Sequence, residues 1–179
     1  MRYPPLNIPN ALSVVRGLCG LFFLWAAFTE HWFAAFVVTV YAVVSDLIDG
    51  PIARRLEQAT SLGTRIDHTA DFVFVFLGLV GLALHDGSVV PVVLPLVQLC
   101  AFLEYAYTGA QTNTSLLPSH LGRYNGILYF VVVTTVTTQY AFQLYWIPTE
   151  LIFGFCWLLV ASTILSMAIR IASRIRKKH

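Results

Sequence analysis

Long apolar runs separated by short polar punctuation dominate the chain. Six of them read as helical segments, at roughly 11–29, 32–53, 65–84, 89–108, 123–145 and 149–171. Each is close to the roughly 20 residues that carry a helix across about 30 Å of hydrocarbon. The predicted fold class is all-α, a polytopic membrane protein with six transmembrane helices around a polar cavity that faces the cytoplasm. Connections this short leave no room for a second domain, so 1–179 reads as a single membrane domain. Pro4, Pro5 and Pro9 remove backbone donors until Asn10 or Ser13 can cap a helix, which lays residues 1–10 on the membrane surface. The first run lacks an A-x-A-like processing site, and the first helix is expected to stay in the protein.

Composition strengthens this picture. The chain is 58% hydrophobic and 11% charged with a mean hydropathy of +0.73, far from the usual balance of soluble domains. Cys19, Cys100 and Cys156 stand alone in apolar segments and read as small buried hydrophobes, without the pair spacing of zinc or redox sites.

Charge sets an orientation. The eleven Lys and Arg residues, from Arg2 and Arg16 through Arg54, Arg55, Arg65 and Arg123 to the run at 170–178, all fall at one side if the amino terminus is cytoplasmic. The opposite connections, near Glu30, Asp86 and Glu150, carry none. Both termini and the site described next are thus expected to face the cytoplasm. The net charge of +2 is small, but its one-sidedness suits anionic lipid headgroups and calls for no nucleic acid. The basic run at the carboxy terminus reads as a topology anchor.

Against this apolar background, residues 46–71 hold five of the nine acidic residues, four of them aspartates. Asp46 and Asp49 are three apart and Asp67 and Asp71 four apart, so each pair projects from one helix face. Asp46 precedes Arg54 by eight residues, about 12 Å of helix, and ionisable groups at that depth are functional by default. Four carboxylates in a partly dehydrated place need cations, and hard oxygen ligands suit Mg²⁺, Mn²⁺ or Ca²⁺. Gly50 and Ala53 keep one face small, for a ligand or for close helix packing. Pro51 is expected to bend the helix beyond Asp49. Arg16, one turn inside the first apolar run, either snorkels to the interface or meets phosphate. Glu104 reads first as the partner of an Arg and second as an aid to substrate binding.

The spacing Asp46-x2-Asp49-Gly50-x2-Ala53-Arg54-x8-Gly63-x3-Asp67-x3-Asp71 resembles, at every fixed position, the signature of the CDP-alcohol phosphotransferases. The start, Asn7-Ile8-Pro9-Asn10-Ala11-Leu12-Ser13-x2-Arg16, is similar to the opening of bacterial phosphatidylglycerophosphate synthases. Ser119-His120-Leu121-Gly122-Arg123 resembles a Ser-x2-Gly-Lys stretch of several lipid-forming members, with Arg in place of Lys.

The resemblance implies a membrane transferase of phospholipid biosynthesis. It would pass a phosphatidyl group from a CDP-linked donor, CDP-diacylglycerol first, to a small alcohol and release CMP. It implies Asp46, Asp49 and Asp67 as metal ligands, with Asp71 as general base that also touches the metal. Two ions of Mg²⁺ or Mn²⁺ would be held there. Gly50, Ala53, Arg54 and Gly63 would accommodate the CDP moiety, Arg16 and Arg123 would contact phosphate or acceptor, and the chain would form a homodimer. Glycerol 3-phosphate is the first acceptor, with serine, inositol phosphate or another alcohol as alternatives. His68 and Phe72 depart from the Asp-Pro-x-x-Asp-Lys that phosphatidylglycerophosphate synthases carry around the last two aspartates. A divalent-cation transporter, which also lines an ion path with membrane aspartates, is the alternative of another class.

Overall fold

Glycines and alanines on α1 decide how close the site-bearing helices come. The computed structural model describes residues 8–55, 61–112 and 120–178. In chain order these form α1 (Ile8–Phe28), α2 (Trp32–Arg55), α3 (Ser61–Ala83), α4 (Val93–Thr112), α5 (His120–Phe142) and α6 (Thr149–Lys178), with no strand among the described residues. On α1, Ser13, Arg16, Gly20, Phe23 and Ala27 recur at helical spacing and turn inward, while Leu18, Leu21 and Trp25 on the other face are exposed.

The inward stripe packs on α3 with almost no gap. A Cβ placed on Gly20 would lie 3.0 Å from the Phe74 Cα, and one on Gly81 of α3 would lie 2.9 Å from the Ala27 Cβ. Such contacts are how helices associate where lipid removes the hydrophobic drive between them. Phe23 and Phe74 meet edge to face, with ring centroids 6.1 Å apart, inside a core that includes Leu79, Leu82, Leu94 and Val133. The α1–α2 connection is equally tight. Glu30 takes a left-handed φ of 58° and the His31 amide donates to the Ala26 carbonyl at 2.8 Å, which turns α2 back along α1.

Among the described residues, four helical stretches are long and apolar enough to cross a membrane: Asn10–Phe28, Trp32–Asp49, Leu62–Ala83 and Thr149–Ser173. The apolar part of α4, Val93–Tyr107, is shorter. The run of Thr134, Thr135, Thr137, Thr138 and Gln139 dilutes α5. Four spans thus stand on length and apolarity where six were expected, in a protein that is integral to the membrane. The wide exposure of Leu18, Leu96, Leu158 and Leu165 is what a lipid-facing surface requires and a water-facing one avoids. Cys156 is buried as expected, but Cys100 is exposed, because its position on α4 faces away from the other helices. α2 continues through Pro51 to Arg55.

Candidate metal and active site

Asp46 and Asp49 sit in the carboxy-terminal half of α2, and Asp67 and Asp71 lie in the early turns of α3. Packing of α1 against both helices brings a fifth charged group among them. Arg16 lies one turn before Gly20 on the same face of α1, so the close approach at Gly20 carries the guanidinium between α2 and α3.

That guanidinium has 0% of its side chain exposed and meets all four carboxylates. Nη1 donates to Asp46 Oδ1 and to Asp67 Oδ1, each at 3.2 Å, and also to Asp71 Oδ1. Nη2 donates to Asp49 Oδ2, and Nε to the Ser45 hydroxyl at 3.1 Å. Ser13 on α1 adds its hydroxyl to Asp67 Oδ1 at 3.1 Å. The aspartates are not equivalent: the Asp49 side chain is 9% exposed and the Asp46 side chain 53%. Asp49 is the inner member of the group and Asp46 the outer.

A cavity of about 880 Å³ opens beside the cluster, and Asp46 and Asp71 form part of its wall together with His68 and Arg123. Its deeper wall includes Gln98, which is 7% exposed and whose Oε1 has no hydrogen-bond partner. Buried amide oxygens are rarely left so, and this one is available to a ligand donor or water. Phe72, next to Asp71, stacks on Phe102 of α4 with centroids 3.7 Å apart and planes 6° apart. An aromatic platform therefore stands beside Asp71 in place of a cation. Farther along the wall, Asn125 and Tyr129 of α5 share Thr163 of α6, at 3.1 and 2.7 Å.

Of the residues singled out from sequence, Asp46, Asp49, Asp67, Asp71 and Arg16 come together in one cluster, and Arg123 faces the adjoining cavity. Gly63 lies in the first turn of α3. Gly50, Ala53 and Arg54 belong to α2, but their side-chain surroundings lie outside the described residues, as do residues 113–119 before α5. Glu104 pairs with Arg170 of α6 at 2.7 Å, the structural role expected first. Arg16 neither snorkels nor reaches the surface. Sequence reasoning missed Ser45 and Ser13 as supports of the cluster and Gln98 as a wall residue. The Ser13-x2-Arg16 spacing on one helix face was the signal for the first support.

The donor set fits a hard divalent cation. Carboxylate oxygens of Asp46, Asp49 and Asp67 lie within 4.8 Å of one another, as do ligand atoms of Asp67, His68 and Asp71. These spans suit oxygen coordination of Mg²⁺, Mn²⁺ or Ca²⁺ after small adjustments of the side chains. Four carboxylates and one guanidinium leave a formal charge of −3 among the described residues of the cluster. Further positive charge is what such a group attracts.

Comparison with known proteins agrees with this geometry. The sequence profile described as CDP-alcohol phosphatidyltransferase matches residues 6–172. A CDP-diacylglycerol–glycerol-3-phosphate 3-phosphatidyltransferase of Aquifex aeolicus is 34% identical over 74 residues, which cover 41% of this chain and 42% of that protein. A protein of the same description from Pseudomonas fluorescens is 38% identical over 86 residues, 46% of this chain and 44% of the relative. A cardiolipin synthase (CMP-forming) of Streptomyces coelicolor is 38% identical over 103 residues, 52% of this chain and 46% of the relative. The chain thus spans less than half the length of these curated relatives.

Proposed function

The chain belongs to the CDP-alcohol phosphatidyltransferase family, and on that premise we propose that it transfers a phosphatidyl group from CDP-diacylglycerol to glycerol 3-phosphate and releases CMP. The observation that carries the reading is the convergence of Asp46, Asp49, Asp67 and Asp71 from two helices beside a cavity of about 880 Å³. Family membership favours this reaction over ion transport. The relatives' names favour glycerol 3-phosphate over serine or inositol phosphate, and the Phe72 platform is the feature that argues for testing the other alcohols.

In the proposed reaction the acceptor hydroxyl forms a new P–O bond at the phosphatidyl phosphorus, the bond to CMP breaks, and CMP carries away the bridging oxygen. Asp46, Asp49 and Asp67 would hold one or two ions of Mg²⁺ or Mn²⁺. Bound there, the ions supply charge neutralisation at the phosphoryl oxygens and the leaving group. Asp71, which faces the cavity, takes the acceptor proton; a positioned base of this kind is worth about 10²–10⁴-fold in rate. Arg123 on the cavity wall attracts the acceptor's phosphate, and Gly50, Ala53, Arg54 and Gly63 accommodate the donor's cytidine and phosphates. The site faces the cytoplasm of a bacterial-type inner membrane, on the evidence of the one-sided basic residues. The enzyme works as a homodimer.

The test is purified protein in lipid nanodiscs with CDP-diacylglycerol and, separately, glycerol 3-phosphate, serine and inositol phosphate. The reading expects CMP release and a phosphatidylglycerophosphate product with the first. Product formation only with another alcohol would replace the acceptor, and no CMP with any alcohol would overturn the reaction.

A further inference from the structure

We propose that Arg16 is a built-in counter-ion that competes with divalent cations for the four aspartates, holding them together in the absence of ions and tempering ion affinity by its own charge. The inference rests on the reading of the cluster as a cation site. It assigns Arg16 a positioning role in place of direct contact with phosphate.

Three observations carry it. First, the guanidinium spends its donors on the cluster: Nη1 on Asp46, Asp67 and Asp71, Nη2 on Asp49, and Nε on Ser45. The carboxylate oxygens it occupies belong to the residues that an ion would need. Second, it is fully buried, so phosphate has no path to it without a rearrangement of α1 against α2 and α3. Third, α1 and α3 are in close contact one turn away, where a Cβ on Gly20 would lie 3.0 Å from the Phe74 Cα, so the packed helices hold the guanidinium among the aspartates.

Charge explains what the arrangement accomplishes. Arg keeps its proton under all relevant conditions, so its charge is permanent. Without it, four carboxylates at close quarters would repel one another strongly in a partly dehydrated place, and the helices carrying them would separate or the acids would take up protons. With it, the cluster stands at −3 and stays assembled before any ion arrives. Two divalent ions added to the cluster with Arg16 bring the sum to +1, a surplus that draws in an anionic pyrophosphate. The same ions added to four carboxylates alone give zero, with tighter binding of the ions and less attraction for the donor.

The test is Mn²⁺ binding to the full chain in detergent, read from the electron paramagnetic resonance signal of free Mn²⁺. Thermal unfolding in EDTA and in saturating Mn²⁺ is measured beside it. Arg16→Gln is expected to bind Mn²⁺ about tenfold tighter or more, since one unit charge a few Å away is worth at least that at the low effective dielectric of such a site. Its unfolding midpoint in EDTA falls below that of the wild type and recovers with Mn²⁺. Arg16→Lys, which keeps the charge, stays nearer the wild-type affinity. Binding by Arg16→Gln no tighter than by the wild type, or lysine behaving as glutamine does, would overturn the inference while leaving the cation site standing. So would failure of Arg16→Gln to fold even in Mn²⁺, because the ion would then not replace the guanidinium. If neither protein bound Mn²⁺, the cation reading and this inference would fall together, independently of CMP release.

Discussion

Gly20 of α1 lies against Phe74 of α3 so closely that a Cβ at position 20 would sit 3.0 Å from the Phe74 Cα. The neighbouring atom is backbone and cannot turn aside. This contact is the hinge pin between fold and site, because Arg16 one turn away reaches Asp67 and Asp71 only while α1 and α3 stay at this separation.

Gly20→Val is therefore expected to destabilise the protein by about 1–3 kcal/mol, the usual cost of overpacking, and to lower activity more than stability alone explains. Thermal unfolding in nanodiscs alongside CMP release checks it. A variant as stable and active as the wild type would show that the spacing is not needed.

The Glu104–Arg170 pair ties α4 to α6, with side chains 12% and 15% exposed. Removing one partner of this part-buried pair weakens the compensation of the other, at a cost of about 1–3 kcal/mol. Glu104→Ala is expected to lose stability on that scale, while Glu104→Ala with Arg170→Met regains part of it. A double variant no more stable than Glu104→Ala would mean that the pair is not coupled in this way.

Much of this was legible in the sequence, for reasons that can be named. The three- and four-residue spacings of the aspartates fix their helix faces, and an apolar surround leaves a cation site as the simplest outcome. The place of Arg16 was not legible. Its position depends on α1 meeting α3 across 51 or more residues of chain, and Gly20 and Gly81 announce small faces without saying which helices they join. The exposure of Cys100 was hidden for the same reason, since apolar segments do not state which side meets lipid. The polar wall of α5 and α6 was only half visible: Asn125 and Thr163 interrupt apolar runs, but their pairing is tertiary.

Orientation has its own test. In a background lacking the exposed Cys100, a Cys at Arg55 is expected to be shielded from a membrane-impermeant thiol reagent added outside intact cells, and one at Glu30 to be labelled. The reverse pattern would invert the topology.

Asp71 is expected to differ from Asp46. Asp71→Asn should keep CDP-diacylglycerol binding in the presence of Mg²⁺ and lose about 10²–10⁴-fold in turnover, the range for a general base. Asp46→Asn should lose both. Equal loss of donor binding in the two variants would make Asp71 chiefly a metal ligand, with His68, which faces the same cavity, the next base to test.

The central claim, that four aspartates from α2 and α3 hold divalent cations for phosphatidyl transfer, meets its most direct test in one assay. CMP release from CDP-diacylglycerol with glycerol 3-phosphate is followed for the wild type in Mg²⁺, in EDTA and after Mg²⁺ is restored, beside Asp67→Asn. The account predicts release that vanishes in EDTA, returns with Mg²⁺ and is abolished by Asp67→Asn. Undiminished release in EDTA, or from Asp67→Asn, would contradict it.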